Sequence, residues 1–309
     1  MEKQNNHNNS NAMIEWFKHI RMHPGLYIGR RLGDGSSYDD GIYQLLKEVV
    51  DNSIDEFVQG HGKCIEVTIN DNVVSVRDYG RGITFNKMVH CMTNLIPGEN
   101  AGIKPTNALS NHFIVQSILH GHVKAVEFSC GKFIRETSVK LSNQPSGTLT
   151  TFTIDDSIFG NYRWDSRHIK KMFWEFACLN NGLTINFNGQ KIVAKNGLYD
   201  FLCDKVNKDE MLYEPIHFKD KFFEFVFTHT TRNSNEEYYS FVNRQYTPNG
   251  GTHLKAFLKA LVKTFCRYYN KKFTSTKICN AIAVAIVIKV QEPIFGTDMK
   301  TELISDMIQ

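Results

Sequence analysis

An α+β fold in two domains is what this sequence predicts, and three observations predict it. The first is one long amphipathic helix, GIYQLLKEVVDNSIDEFVQG at 41–60, in which Ile42, Leu45, Leu46, Val49, Val50, Ile54 and Phe57 recur at helical spacing. The second is a series of short β-branched or alternating runs separated by turn residues. The third is length: 309 residues exceed the usual single domain, and the final third changes to a strand, basic helix, strand pattern. The expected organisation is a polar, disordered tail at 1–12, a first domain at 13–208 and a smaller α/β domain at 209–309.

Composition narrows the class. Apolar residues make up 41% and charged residues 22%, as in an ordinary globular protein. A net charge of +4 permits an anionic partner without requiring one. The 7 cysteines include no CxxC pair and are odd in number, which points to free thiols in a reducing compartment. The start of the chain lacks a basic stretch followed by an apolar one, so no signal peptide is expected. The longest apolar run, 278–290, is interrupted by Asn280 and Lys289 and is too short to span a bilayer. A cytoplasmic protein with no membrane partner is expected.

The elements follow in order. After the Asn-rich tail, residues 13–20 predict a short helix presenting Trp16, Phe17 and Ile20. A basic turn at Arg21 to Gly25 ends it, and Leu26 to Gly29 reads as extended. A Gly/Ser/Asp-rich loop at 30–40 leads into the long helix, which stops at Gly60. Ile65, Val67 and Ile69 alternate, then Asp71-Asn72 turns the chain into Val74, Val76 and Asp78, which together make a hairpin. Directly after it, Asp78-Tyr79-Gly80-Arg81-Gly82-Ile83 frees the backbone to approach something closely. A helix at 85–95, a Gly/Pro loop at 96–106, helix then strand at 107–118, three strands within 123–155, an amphipathic helix at 163–180 and a hairpin around Asn188-Gly189 complete the first domain. The second domain offers strands at 222–228 and 238–243, a helix capped by Pro248 to His253, and a buried strand at 281–290.

Two patterns carry chemistry. Glu48, Asn52 and Glu56 stand at i, i+4 and i+8 of the long helix, so two carboxylates and a carboxamide share one stripe. A carboxylate one turn from a carboxamide suits a general base beside an oxygen ligand for a hard cation, and the stripe is equally what a solvated helix face looks like. On the later helix Lys255, Lys259, Lys263, Arg267 and Lys271 recur every four residues without interleaved acids. Five like charges repel one another unless counterions or a polyanion lie close.

HPGLYIG at 23–29, EVVDNSIDE at 48–56, VRDYGRGI at 76–83 and NALS at 107–110 resemble the ATPase region of the bacterial type IIA topoisomerase B subunits, those of DNA gyrase and topoisomerase IV. SFVNRQYTPNGGTHLKAF at 240–257 and EPIFGTDMKTEL at 292–303 resemble the transducer domain that follows it. The match is ordered and runs from about residue 14 onward, and the stretch at 19–57 looks closer to topoisomerase IV than to gyrase. The resemblance implies a Bergerat-type (GHKL) fold of helices on an antiparallel-rich mixed sheet, with ATP and Mg2+ as ligands. It also implies dimerisation driven by ATP, DNA as partner, and an A subunit in the full assembly.

Residue by residue, it assigns Glu48 as the general base for the water that attacks the γ-phosphate, and Asn52 as the Mg2+ ligand. Asp78 would receive the adenine amino group, with Gly82 and Thr148 completing that corner, and Arg81 would stack near the adenine or pair with Glu56. Ile83, Gly98, Gly102, Ile103 and Lys104 fall in ATP-binding segments. Lys300 matches the transducer lysine that reaches the γ-phosphate, and the stripe Lys255, Lys259, Lys263, Arg267, Lys271 would face DNA.

The chain also departs from the family. Most of the ATP lid before NALS is missing, and its glycine motif is reduced to Gly98 and Gly102. Asp298 replaces the glutamine expected two residues before Lys300, and Asn5, Asn6 and His7 stand where the arm's tyrosine would be. The match stops short of the metal-binding cleavage domain, so no strand cutting is expected from this chain. Two functions follow: an ATP-hydrolysing gate region, or a lid-deficient, non-catalytic nucleotide-binding or dimerisation module of the same fold.

Overall fold

A computed structural model describes residues 16–29, 33–93, 102–231, 236–296 and 300–305. The expected tail at 1–12, the departures at Asn5, Asn6, His7 and Asp298, and Gly98 all lie outside the described residues. The chain forms two compact units, Met1–Trp174 with Gly182–Val193, and Glu175–Asn181 with Ala194–Gln309.

The first unit runs α1 (16–22), α2 (Gly25–Ile28), α3 (Gly41–Val58), β1 (Cys64–Asn70), β2 (Val73–Asp78), α4 (Met88–Thr93), α5 (Ile103–Ala108), β3 (Ser110–Leu119), β4 (His122–Ser129), β5 (Lys132–Glu136), β6 (Lys140–Leu141), β7 (Gly147–Ile154), α6 (Asp156–Phe159), α7 (Ser166–Leu179), β8 (Thr184–Phe187) and β9 (Gln190–Ile192), the last turn of α7 belonging to the second unit. Among the described residues its sheet has nine strands in the order β5-β4-β3-β7-β2-β1-β8-β9, with β6 beside β4. Every pairing is antiparallel except β1 with β8.

α3 packs across the centre of this sheet, on β1, β2 and β7. Ile42, Leu45, Leu46, Val49, Val50 and Ile54 are buried against it, as the spacing of those residues dictates. Gly60, with φ 89°, ends the helix in the left-handed conformation that glycine tolerates. The α+β reading and the antiparallel-rich mixed sheet both hold.

Local differences have local causes. Leu26 to Ile28 are helical rather than extended: Pro24 sets φ −59° at the start of α2, and Tyr27 and Ile28 N–H both donate to its carbonyl. The region at 123–155 holds a fourth, two-residue strand, β6, formed because Val123 and His122 of β4 have partners in Lys140 and Leu141.

The second unit runs α8 (Leu198–Lys205), β10 (Ile216–Lys219), β11 (Phe223–His229), β12 (Glu237–Val242), β13 (Gln245–Tyr246), α9 (Thr252–Tyr268), α10 (Ser275–Cys279) and β14 (Ile282–Ile288). The sheet order is β10-β11-β14-β12-β13, and β12 pairs parallel with β14 through α9 as the crossover. The units part near residue 193, upstream of the divide expected at 208, because α8 packs on β11 and β14. Phe201 on α8 meets the Tyr239 and Phe241 rings at 5.5 and 5.4 Å. Among the described residues no helix is long and apolar enough to cross a membrane.

Candidate functional site

Asp78 ends β2, opposite Ile65 of β1, and is buried. Its Oδ1 accepts two backbone N–H groups, from Gly80 at 2.9 Å and Thr148 at 3.1 Å. Burial pushes its carboxyl above the ordinary value, against those two donors, which pull it down. With Oδ1 held by the chain, Oδ2 is the oxygen placed to accept from an amino group. Arg77 braces the same corner from behind: its guanidinium donates to the carbonyls of Asp78 and Pro145, each at 2.5 Å, and lies 4.8 Å from the Tyr79 ring centre.

The loop after Asp78 is shaped by two further contacts. Gly82 has φ 80°, and a Cβ there would stand 2.7 Å from the Ile118 carbonyl, so only glycine fits. Ile83 N–H donates to Ser117 Oγ at 2.8 Å, and Ser117 returns its proton to the Ile83 carbonyl at 2.7 Å. Of the two roles open for Arg81, the structure has it paired with Glu56. Its backbone N–H and Nε donate to Oε2 at 2.8 and 3.1 Å, and a terminal nitrogen donates to Oε1 at 2.8 Å. The Arg81 hydrogen bond holds the Glu56 carboxyl below its ordinary value. Glu56 therefore pins the loop to the last turns of α3.

Glu48 and Asn52 sit two turns and one turn earlier on α3, both partly exposed. Asn52 Nδ2 donates to the Glu48 carbonyl at 2.9 Å, which leaves its amide oxygen as the group that can face a cation. Gln44 donates to Glu48 Oε1 at 2.5 Å and orients the carboxylate. Gly102 caps α5, and a Cβ there would overlap Glu48 Oε2, so glycine lets the α5 backbone reach that carboxylate. Ile103 and Lys104 follow in α5 and are buried rather than lining an open face. α5 is locked from both sides. Thr106 donates to the Leu45 carbonyl of α3 at 3.2 Å and Asn107 to the Met92 carbonyl of α4 at 3.1 Å, while Arg21 donates to the Ala108 carbonyl at 2.9 Å and pairs with Asp155 at 2.6 Å.

Eight residues of helix separate Glu48 from Glu56, about 12 Å along the axis of α3. One end of that span meets Gly102, and the other meets the loop that leaves Asp78. The arrangement offers an acceptor for an exocyclic amine at one end. At the other it offers a carboxylate that can take a proton, next to an amide oxygen. Gln44, Arg77 and Ser117 are the supporting residues that sequence reasoning missed. The signal for Gln44 was present, since it stands at i−4 from Glu48, whereas Ser117 is brought in only by the pairing of β3 with β7.

In the second unit Lys300 is exposed, with φ 54°. Lys255, Lys259, Lys263 and Arg267 are exposed along α9. Lys271 is a correction to the five-residue stripe. α9 ends at Tyr268, Asn270 turns left-handed at φ 51°, and Lys271 N–H caps the Cys266 carbonyl beyond the helix. Nor is the stripe free of acids, since Lys255 pairs with Glu302 at 3.0 Å from another segment.

The sheet and the helix across it have the architecture of the GHKL ATPase class. The family model for histidine kinase-, DNA gyrase B- and HSP90-like ATPases matches residues 38–158, and that for DNA gyrase B matches 197–309. Over its whole length the chain is similar to the ATPase and transducer parts of gyrase and topoisomerase IV B subunits. It is 39% identical over 317 aligned residues to the B subunit of DNA topoisomerase 4 from Borreliella burgdorferi, covering 98% of this chain and 52% of that protein. It is 29% identical to the DNA gyrase B subunit of Campylobacter jejuni, covering 99% of this chain and 44% of that one. The chain thus spans about half the length of these relatives. Among solved structures, the 43K ATPase domain of Thermus thermophilus gyrase B, in complex with an aminocoumarin, superposes with a TM-score of 0.76 at 26% identity over 94% of this chain and 84% of that one.

Proposed function

We propose that this chain binds and hydrolyses ATP as the gate region of a topoisomerase IV or gyrase B-type protein, coupling ATP-driven dimerisation to DNA strand passage. One observation carries the reading: a buried carboxylate with one oxygen held by two backbone N–H groups, the loop after it pinned to α3 by Glu56, and a Glu–Asn pair on that helix beginning about 12 Å from Glu56 along its axis. Asp78 Oδ2 accepts from the adenine amino group, and Gly82 and Thr148 close that corner. Glu48, oriented by Gln44, takes the proton of the attacking water as general base. Lys300 supplies positive charge to the γ-phosphate in a reaction governed by positioning and electrostatics.

Asn52 is the residue that would hold Mg2+. The fit rests on its donor set: the amide nitrogen is engaged, leaving an oxygen ligand, and this cation commonly takes one or two protein ligands beside water and phosphate oxygens. When bound, the ion would neutralise phosphate charge. The exposed face of α9 is the proposed DNA surface. Homodimerisation and pairing with the A-type topoisomerase polypeptide are part of the same reading.

Mg2+-dependent ATP turnover by the purified chain, lost in Glu48→Ala, is the expected result; equal turnover by both proteins sinks the enzymatic reading. The short segment at 95–102 motivates the second reading, a nucleotide-binding or dimerisation module without hydrolysis. Calorimetric binding of a non-hydrolysable ATP analogue with no turnover in either protein supports that one.

A further inference from the structure

The extended segment that follows Lys300 does not stand alone; Leu303 bridges Gly251 on one side and Phe295 on the other. Asn249 N–H donates to the Thr301 carbonyl at 3.0 Å, Leu303 N–H to the Gly250 carbonyl at 3.1 Å, and Thr252 N–H to the Leu303 carbonyl at 3.0 Å. Thr252 Oγ1 adds a bond to the Ser305 carbonyl at 2.8 Å. On its other edge the segment pairs with 294–296, through Gly296 N–H to Glu302 and Ile304 N–H to Ile294. Leu303 anchors its middle, buried with Val242 and Ile288. Residues 301–305 are therefore the central ribbon of three, and one flank is the turn that starts α9.

At the closest point of that flank sits Gly251, with φ 139°. A Cβ there would stand 2.6 Å from Leu303 N and 2.9 Å from Leu303 Cα, both backbone atoms that cannot swing aside. Behind the turn lies a buried polar chain. Thr247 N–H and Oγ1 donate to the Ser240 carbonyl at 2.8 and 3.0 Å, Ser240 Oγ bonds Thr247 Oγ1 at 2.8 Å, and it also bonds His253 Nε2 at 2.5 Å. This chain ties the turn to β12, so a side chain at Gly251 would displace the 301–305 ribbon rather than the turn.

We infer that Gly251 and Thr252 are positioning residues for Lys300: the turn at the start of α9 sets where the 300–305 ribbon, and with it the lysine ammonium, stands. This rests on the reading of Lys300 as the γ-phosphate lysine. The same turn begins the basic helix, so the ribbon that follows Lys300 and the first turn of the α9 stripe are held by one short piece of backbone.

A double-mutant cycle on ATP turnover tests it, with kcat and the KM for ATP measured for Gly251→Ala, Lys300→Ala and the pair. Displacing a charged group by about 1 Å can cost roughly 10²-fold in rate, so Gly251→Ala is expected to lower kcat at least about tenfold with little change in KM. In the Lys300→Ala background it should lower kcat no further. An equal drop in both backgrounds means a merely structural role and overturns the inference, while leaving the role of Lys300 standing. If Lys300→Ala alone turns over ATP like the parent chain, the reading of Lys300 falls and the inference falls with it. Thr252→Val, which removes only the bond to Ser305, covers the case in which Gly251→Ala does not fold. It should give a loss of a few-fold with Lys300 present and none without it, and a loss in both backgrounds again overturns the inference.

Discussion

The two ends of the proposed nucleotide site are built from different materials. At Asp78 the carboxylate is buried at a strand end and its geometry is set by main-chain N–H groups of Gly80 and Thr148. At Glu48 the carboxylate is partly exposed on a helix, set by a side chain, Gln44, and by the close approach of Gly102. A main-chain donor on strand β7 and one in the glycine turn directly after β2 have few alternative positions, so the Asp78 end is suited to recognition. A side-chain carboxylate near water is suited to taking and giving up a proton. The expected division is that the Asp78 end governs affinity and the Glu48 end governs rate.

The largest test of that division is Glu48→Ala. Removing a general base costs about 10²–10⁴ in rate, so turnover should fall by that range while calorimetric affinity for a non-hydrolysable ATP analogue stays within a few-fold. Parallel losses in both would erase the distinction. Asp78→Ala is its mirror image. It leaves two N–H groups without their acceptor and removes the partner for the adenine amine, and each unmade buried hydrogen bond costs about 1–3 kcal/mol. Analogue affinity should fall by about 10–10²-fold, and kcat at saturating ATP should change less.

Gly102→Ala probes the Glu48 end without touching its chemistry. Its methyl overlaps the Glu48 carboxylate, so steady-state kinetics should show a kcat drop of about tenfold, the scale of a displaced catalytic group. Unchanged kcat would mean that the base does not depend on α5.

The pH dependence of binding separates the ends more gently. Burial raises the Asp78 carboxyl above its ordinary 3.8, and the ionised form is the stronger acceptor for the amine. Analogue affinity is therefore full above the raised value and weakens as pH falls through it, at a higher pH than for an ordinary aspartate. The free protein has the opposite sign. Asp78 contributes stability that is fully present below 3.8 and lost as pH rises through the raised value. Titration calorimetry across mildly acidic pH should show the first trend in the parent chain and a flat profile in Asp78→Asn. The smallest effect is expected for Arg81→Ala. Arg81 is half exposed and its ion pair with Glu56 is screened by water, so the KM for ATP should move by at most a few-fold. A loss as large as that of Asp78→Ala would show Arg81 to be a nucleotide ligand instead.

The helical end of this contrast was the more legible in sequence. Apolar spacing alone puts Glu48 and Asn52 on one stripe, and the hairpin pattern puts Asp78 at a strand end. What made the stripe meaningful was the family resemblance, because spacing by itself equally describes a solvated face. The contacts that hold the site were not legible. Gly102 against Glu48 depends on α5 returning to α3, and Ser117 beneath Ile83 depends on the register of β3 with β7. The parallel partnership of β1 with β8 has no local signal either, since the two strands lie far apart in the chain. Lys271 was misplaced for a different reason. A four-residue charge rhythm carries on past a helix end, whereas the stop comes from the left-handed turn at Asn270.

That parallel pair has a consequence for how the molecule is made. Cys64 and Thr184 are ladder partners, and antiparallel neighbours β2 and β7 are already in place between them in sequence. Closing so long a loop is entropically unfavourable until other contacts have shortened it. The outer strands β8 and β9 should therefore join late, after the β2-β7-β3-β4 block has assembled. On a ribosome, β1 waits with one bare edge until residue 187 has emerged. The strand that holds the register partner of Asp78 is thus the last of the central strands to be flanked on both sides.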